Sequence, residues 1–306
     1  MMRRVLLRLA TAVPTLLLLV TLTFFLMRLA PGGPFDQERS LPPEIERALA
    51  AEYHLDESVP QQYLRYIGGL LRGDLGPSFQ YEGFSVRELI ARGLPVSLTL
   101  GALAMGLAVF IGGAMGIVAA LSHRRLGDYS LMGVALLGVS IPSYVIAPVL
   151  ILVFAIGLRW LPAGGWVAGR GSDLVLPVAA LALPQIALIA RLMRGSLLEV
   201  LQQPYLRTAR AKGLSPAKVI MRHALKPALM PVVSYLGPAT AGILTGSVVV
   251  EQVFDLPGVG RYFVQGALNR DYTLVLGVVA LYGALIVFFN FLVDLAYGLL
   301  DPRVRS

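Results

Sequence analysis

Apolar runs of about 20 residues, the length a helix needs to cross a bilayer core, recur six times along the chain. They cover roughly Leu9 to Leu29, Val96 to Leu121, Ser130 to Leu158, Leu174 to Met193, Ala228 to Val250 and Thr273 to Leu300. The pattern predicts an all-α, polytopic membrane protein with six transmembrane helices. Pro142 and Pro148 lie inside the third run, where each removes a backbone hydrogen bond and bends the helix, so a kinked span that can line a cavity is expected. Pro177 and Pro184 interrupt the fourth run, which makes it the weakest of the six. Gly112 with Gly116 and Gly242 with Gly246 form small-xxx-small pairs that let helices approach closely, with gating as the second reading.

The polar stretches divide the chain into an N-terminal tail and first helix (1–29), an extracytoplasmic helical segment (30–95) and a five-helix core (96–306). The external segment carries its own helix signals. Pro42 and Pro43 precede Glu44 and Glu46, which suits a helix start. Pro60 opens a second helix with Tyr63, Ile67 and Leu70 on one face and Gly73 beyond its end, and a third short one is expected over Ser85 to Ala91.

Composition agrees with a chain whose solvent is largely lipid: 56% of 306 residues are hydrophobic and 14% charged, with a mean hydropathy of +0.72. The net charge of +8 sits at the ends of apolar runs, which points to membrane topology rather than nucleic acid. Arg3, Arg4, Arg8, Arg124, Arg125, Arg303 and Arg305 fall on one side, together with eight of the 26 Lys and Arg residues between Arg191 and Lys226. The acids on that side are only Asp128, Glu199 and Asp301, so both termini and the loop at 195–227 are expected in the cytoplasm. The first run is longer than a signal-peptide core and lacks a small-residue cleavage site before Arg28, so it reads as a retained anchor. Asp294, near the end of the last run, reads as hydrated or paired rather than as a proton relay.

Several chemistries find no support. No GxxxxGK[ST] phosphate loop or GxSxG elbow occurs, cysteine is absent, and His54, His123 and His223 lie in separate segments. No catalytic residue, metal site or cofactor is expected in this chain.

The loop has a legible shape. Pro204 opens a helix, Gly213 ends it in a left-handed conformation, and Ser215 with Pro216 restarts a second helix through Leu225. Lys218, Arg222 and Lys226 form a basic stripe along it. A segment lying against anionic lipid headgroups would share these features.

The same residues carry a resemblance. Arg207, Thr208 and Ala209, three residues, Gly213, nine residues, then His223, Ala224, Leu225 and Lys226 resemble the EAA loop of ABC importer permeases. Only Ala209, Gly213 and Leu225 match the general pattern, but RTARAKGL followed by RHAL is similar to the wording of the peptide-transport branch. Glu251 to Tyr272 (EQVFDLPGVGRYFVQGALNRDY), RLAPGGPF at 28–35 and GDLGPSF at 73–79 also resemble that branch. The short loop between Leu158 and Leu174 favours its oligopeptide side.

The resemblance implies a type I ABC importer permease fold in a bacterial inner (cytoplasmic) membrane. It implies a second homologous permease subunit, two ATPase subunits or domains that bind ATP and magnesium, and an extracytoplasmic peptide-binding protein, with a peptide as cargo. It points to Arg207, Thr208, Ala209, Arg210 and Gly213 as the ATPase-coupling helix and its turn, with Lys218 and Arg222 in support. Pro142, Pro148, Gly242 and Gly246 are the candidate walls of the substrate pathway. The alternative is a self-contained secondary transporter or channel, which would need coupling-ion sites or an inverted repeat, and neither is legible.

Overall fold

The computed structural model describes residues 2–29, 33, 42–167 and 169–300; most of RLAPGGPF, together with Asp301, Arg303 and Arg305, lies outside them. The described residues form helices: α1 (Met2–Leu29), α2 (Pro43–Glu52), α3 (Val59–Leu71), α4 (Val86–Leu121), α5 (Leu126–Ser140) and α6 (Ser143–Leu150), the last continued by a π-helix at Ile151–Gly157. Next come α7 (Ser172–Leu201), α8 (Pro204–Ala211) and α9 (Pro216–Val219). A second π-helix at Ile220–Ala224 leads into α10 (Leu225–Ala228), α11 (Met230–Val253), α12 (Val259–Leu268) and α13 (Tyr272–Leu300).

Five of these helices are long and apolar enough to cross a membrane: α1, α4, α7, α11 and α13. The sixth candidate is α5 joined to α6 and its π extension, and the two halves meet at 102°. The expected kink in the third run is therefore a sharp break. Pro142 causes it: it stands outside α6 in extended conformation (φ −62°, ψ 147°) and cannot continue the hydrogen-bond ladder of α5. Pro148 lies inside α6, just ahead of the π turns.

The fourth run reverses its expectation. α7 passes through Pro177 and Pro184 without a break and is the most buried of the spans. Pro177 is buried and Pro184 half-buried, and membrane helices tolerate proline where neighbouring groups or local adjustments re-satisfy the freed carbonyls. The short external helix expected at Ser85 to Ala91 is not separate either, since α4 starts at Val86 and runs 36 residues through Pro95. Its start is a reciprocal cap: the Ser85 N–H donates to Glu88 Oε2 (2.9 Å), and the Glu88 N–H donates to Ser85 Oγ (3.3 Å).

The chain divides into two compact units, with the divisions inside α4 and α13 and after Leu256. One contains Leu98–Leu256 and the α13 residues from Leu285. Its centre is α7, whose Leu181, Ile189, Met193 and Leu197 are buried, with α5, α6 and α11 packed on it. Gly112 and Gly116 behave as expected. A Cβ at Gly116 would lie 2.6 Å from the Ala190 carbonyl oxygen and from Met193 Cβ, so only glycine permits this approach of α4 to α7. Gly242 and Gly246 do not: a Cβ there would meet nothing closer than 3.9 Å. We expect Gly116→Val to lower stability by about 1–3 kcal/mol through overpacking. Thermal unfolding in detergent checks this against Gly113→Ala, where a Cβ meets nothing within 4 Å and little change is expected.

The other unit contains Met2–Ser97 and Pro257–Ala284. Phe24 is buried against Tyr63 and Tyr66 of α3, and Gly73 (φ +74°) ends that helix as expected. Its polar centre is Asp271, fully buried, whose carboxylate accepts from Ser78 Oγ and the N–H groups of Phe79 (3.1 Å), Gln80 (3.2 Å) and Leu274 (3.0 Å). The single hydroxyl hydrogen of Thr273 is shared between Asp271 Oδ1 (3.0 Å) and the Pro77 carbonyl (2.5 Å). The GDLGPSF and RDY passages, noted in the sequence only as wording, thus assemble one site.

Candidate coupling surface

The loop after α7 is a folded piece with an inner and an outer face. Pro204 occupies the first turn of α8, where its missing N–H costs nothing. Leu206 and Ala209 point inward and are buried, while Arg207, Thr208 and Arg210 are exposed. Of the five positions marked on this helix and its turn, Ala209 is thus a packing residue. The helix ends in a Schellman turn: the Gly213 N–H donates to the Arg210 carbonyl (3.0 Å) and the Leu214 N–H to that of Ala209 (3.4 Å), with Gly213 at φ +79°.

Ser215 then stands at the N-cap position in extended conformation and Pro216 opens α9. The second helix is not uniform. It widens at Ile220–Ala224 before continuing as α10 into α11. Val219, Ala224 and Ala228 face inward and are buried, whereas Lys218, Arg222 and Lys226 are exposed. Tyr205 Oη donates to the His223 carbonyl (3.4 Å) and holds the two arms together. Tyr205 and Met221 are themselves 45% and 69% exposed among the basic residues. None of the described ion pairs uses Arg207, Arg210, Lys212, Lys218, Arg222 or Lys226.

Arg194 behaves differently from the other basic residues of this stretch. Its guanidinium grips Asp128 bidentately, Nε to Oδ1 at 2.6 Å and a terminal nitrogen to Oδ2 at 2.7 Å, and Asp128 also accepts from the Arg124 N–H (3.1 Å). His123 Nδ1 lies 3.4 Å from the same carboxylate. This clamp ties the turn between α4 and α5 to α7 shortly before the loop begins. Charge counting registers both partners separately and cannot show that they meet.

The pathway candidates are scattered over two elements. Pro142 and Pro148 are exposed on the broken third run, and Gly242 is exposed on α11. On α11, Pro231, Pro238, Gly242, Thr245 and Val249 form one exposed stripe at helical spacing. Beside it Tyr235 Oη donates to Gln185 Oε1 of α7 (2.8 Å), a polar contact within the spans that sequence reading missed. Among the described residues no three histidine or acidic side chains could share a metal ion.

The family model described as the inner membrane component of binding-protein-dependent transport systems matches residues 112–306. The oligopeptide transport system permease protein OppB of Haemophilus influenzae is 53% identical over 298 residues, covering 97% of each chain. That of Escherichia coli is 52% identical over 305 residues, covering 100% of both. The dipeptide transport system permease protein DppB of Bacillus subtilis is 46% identical over 291 residues, covering 95% of this chain and 94% of that one. A solved structure of the inward-facing MetNI methionine ABC transporter matches with a TM-score of 0.60 at 18% identity, covering 70% of this chain and 96% of that chain; this likeness speaks for the fold.

Proposed function

Because the chain belongs to the family of inner membrane components of binding-protein-dependent transport systems, we propose that it is one permease subunit of an ATP-driven importer for oligopeptides. It is a multi-pass inner membrane protein. It forms half of the passage with a second, similar permease, receives cargo from an extracytoplasmic peptide-binding protein and couples to two ATPase subunits or domains carrying ATP and magnesium. Both termini and the loop at 204–225 face the cytoplasm in this reading.

The observation that carries the coupling role is the outer face of α8 and its glycine turn. Arg207, Thr208, Arg210 and Gly213 stand exposed on a helix pinned from behind by Leu206 and Ala209, and Lys218 and Arg222 extend the surface. Exposed Tyr205 and Met221 among free cations suit a protein partner better than a headgroup layer alone, because aromatic residues, Met and Arg are enriched where proteins dock. The cargo class follows the names of the full-length relatives. On the passage side, the exposed stripe of α11 has glycine at Gly242 and a hydroxyl at Thr245, with Gly246 next to it and the Tyr235–Gln185 pair behind. Pro142 and Pro148 shape the second wall. Such a wall suits polar, variable peptides.

Reconstitution tests the whole reading. Proteoliposomes holding the complete complex are expected to take up peptide only with ATP and the binding protein present. Uptake by this chain alone, driven by an ion gradient, would establish a self-contained transporter instead.

A further inference from the structure

Gln185 and Gly242 lie near the midpoints of α7 (30 residues) and α11 (24 residues), so both sit deep in the hydrocarbon layer, far from the headgroups. Tyr235 Oη donates to Gln185 Oε1 at 2.8 Å. With its oxygen engaged in this way, the amide keeps both N–H groups of Nε2 for another partner. Among the described residues they have no acceptor. Nε2 lies 3.9 Å from the position a Cβ would take on Gly242, and nothing else comes as near. Gly242 itself is exposed.

The same face of α11 offers the opposite polarity. Thr245 directs its hydroxyl hydrogen at the carbonyls of its own helix, Ala241 (3.1 Å) and Gly242 (3.2 Å), so its exposed oxygen presents acceptor lone pairs only. The donor beside Gly242 and the acceptor on Thr245 are neighbours, because residues three apart share one face of a helix. Lipid tails satisfy neither group, and an amide with unused donors is costly against them. An extended peptide satisfies both. Each residue of a strand can present N–H and C=O on one edge, which is how facing residues of antiparallel strands exchange two hydrogen bonds.

We propose that Gln185 binds the backbone of the peptide cargo, an assignment that rests on the importer reading above. Its amide donates to a cargo carbonyl, and Thr245 Oγ1 accepts the N–H of the same cargo residue. Gly242 keeps the amide uncovered, and Tyr235 is the positioning residue that orients it. Contacts of this kind read no side chain, so one wall serves peptides of differing sequence.

Uptake by the complete complex in proteoliposomes, with ATP and the binding protein, tests the assignment. The cargoes are trialanine and the same peptide with one amide replaced by an ester. The ester lacks the N–H that Thr245 accepts, and its carbonyl is a weaker acceptor for Gln185. Any preference of the binding protein is common to all variants, so a change in the amide-to-ester uptake ratio reports the wall. Gln185→Met, similar in length but without N–H groups, is expected to lower that ratio about threefold or more, and Thr245→Val likewise. Tyr235→Phe is expected to lower it about twofold, and the double variant with Gln185→Met no further than Gln185→Met alone. A purely structural defect slows both cargoes alike, so an unchanged ratio in Gln185→Met overturns the assignment, and additivity in the double variant overturns the positioning role. The chain has no cysteine, so Gly242→Cys gives it a single thiol at a position with room for a Cβ. A charged thiol reagent is expected to modify that thiol, and cargo to slow the reaction. Absence of modification would put this face against lipid or another subunit and overturn the assignment. If the parent complex moves neither cargo with ATP, the importer reading falls and this assignment with it.

Discussion

Replacing Gly213 with valine is expected to cut ATP-dependent peptide uptake by roughly ten- to a hundredfold while the chain still inserts in the membrane. Space is not the issue, since a Cβ there would meet nothing within 4 Å. The backbone is the issue: φ is +79°, and a β-branched residue in that region costs about 1–3 kcal/mol. The strain is relieved by opening the Schellman turn, which frees the Arg210 and Ala209 carbonyls and frays the end of α8 that carries Thr208 and Arg210. Asparagine tolerates the left-handed region, so Gly213→Asn is expected to retain most of the uptake. Uptake assays and co-purification of the ATPase check both variants. Equal behaviour of valine and asparagine would remove the backbone argument, and full activity of the valine variant would remove the coupling role of this turn.

Asp271→Ala is expected to be the most destabilising single change in its unit, by about 3 kcal/mol or more, because it strands several buried donors at once. Ser78 Oγ and the N–H groups of Phe79 and Leu274 lose their acceptor, while the Gln80 N–H is left with Ser78 Oγ (3.3 Å) and Thr273 Oγ1 with the Pro77 carbonyl (2.5 Å). Asp271→Asn keeps the shape but aims an amide N–H₂ at groups that are themselves donors, so an intermediate loss is expected. Hydrogen exchange localises the effect: protection is expected to fall at Phe79, Gln80 and Leu274 first. A melting temperature within error of the parent for the alanine variant would refute the role given to this carboxylate.

What was legible in the sequence is what depends on short-range chemistry. Pro204, Gly213 and the Ser215–Pro216 pair each act on their own backbone, and the helix, left-handed turn and restart stand where they were read. The spans were legible because length and hydropathy alone define them. Where proline sits in a span, its local effect is the same but the outcome depends on neighbours. The chain breaks at Pro142, whereas α7 continues through buried Pro177 and α11 through exposed Pro238. The Asp271 site and the Asp128–Arg194 clamp join residues far apart in the chain, and no periodicity announces them. The same holds for Ala209, whose inward direction is set by what α8 packs on.

The π turn at Ile220–Ala224 bears on the row formed by Lys218, Arg222 and Lys226. In an ordinary α-helix each step of four residues overshoots a full turn by about 40°, so three such charges would wind around the rod. A wider turn holds more residues per revolution and reduces that overshoot. The local twist is thereby brought nearer to the four-residue spacing of the charges, so the three are expected to lie closer to a straight file than to a spiral, the arrangement a straight acidic edge on a partner would match.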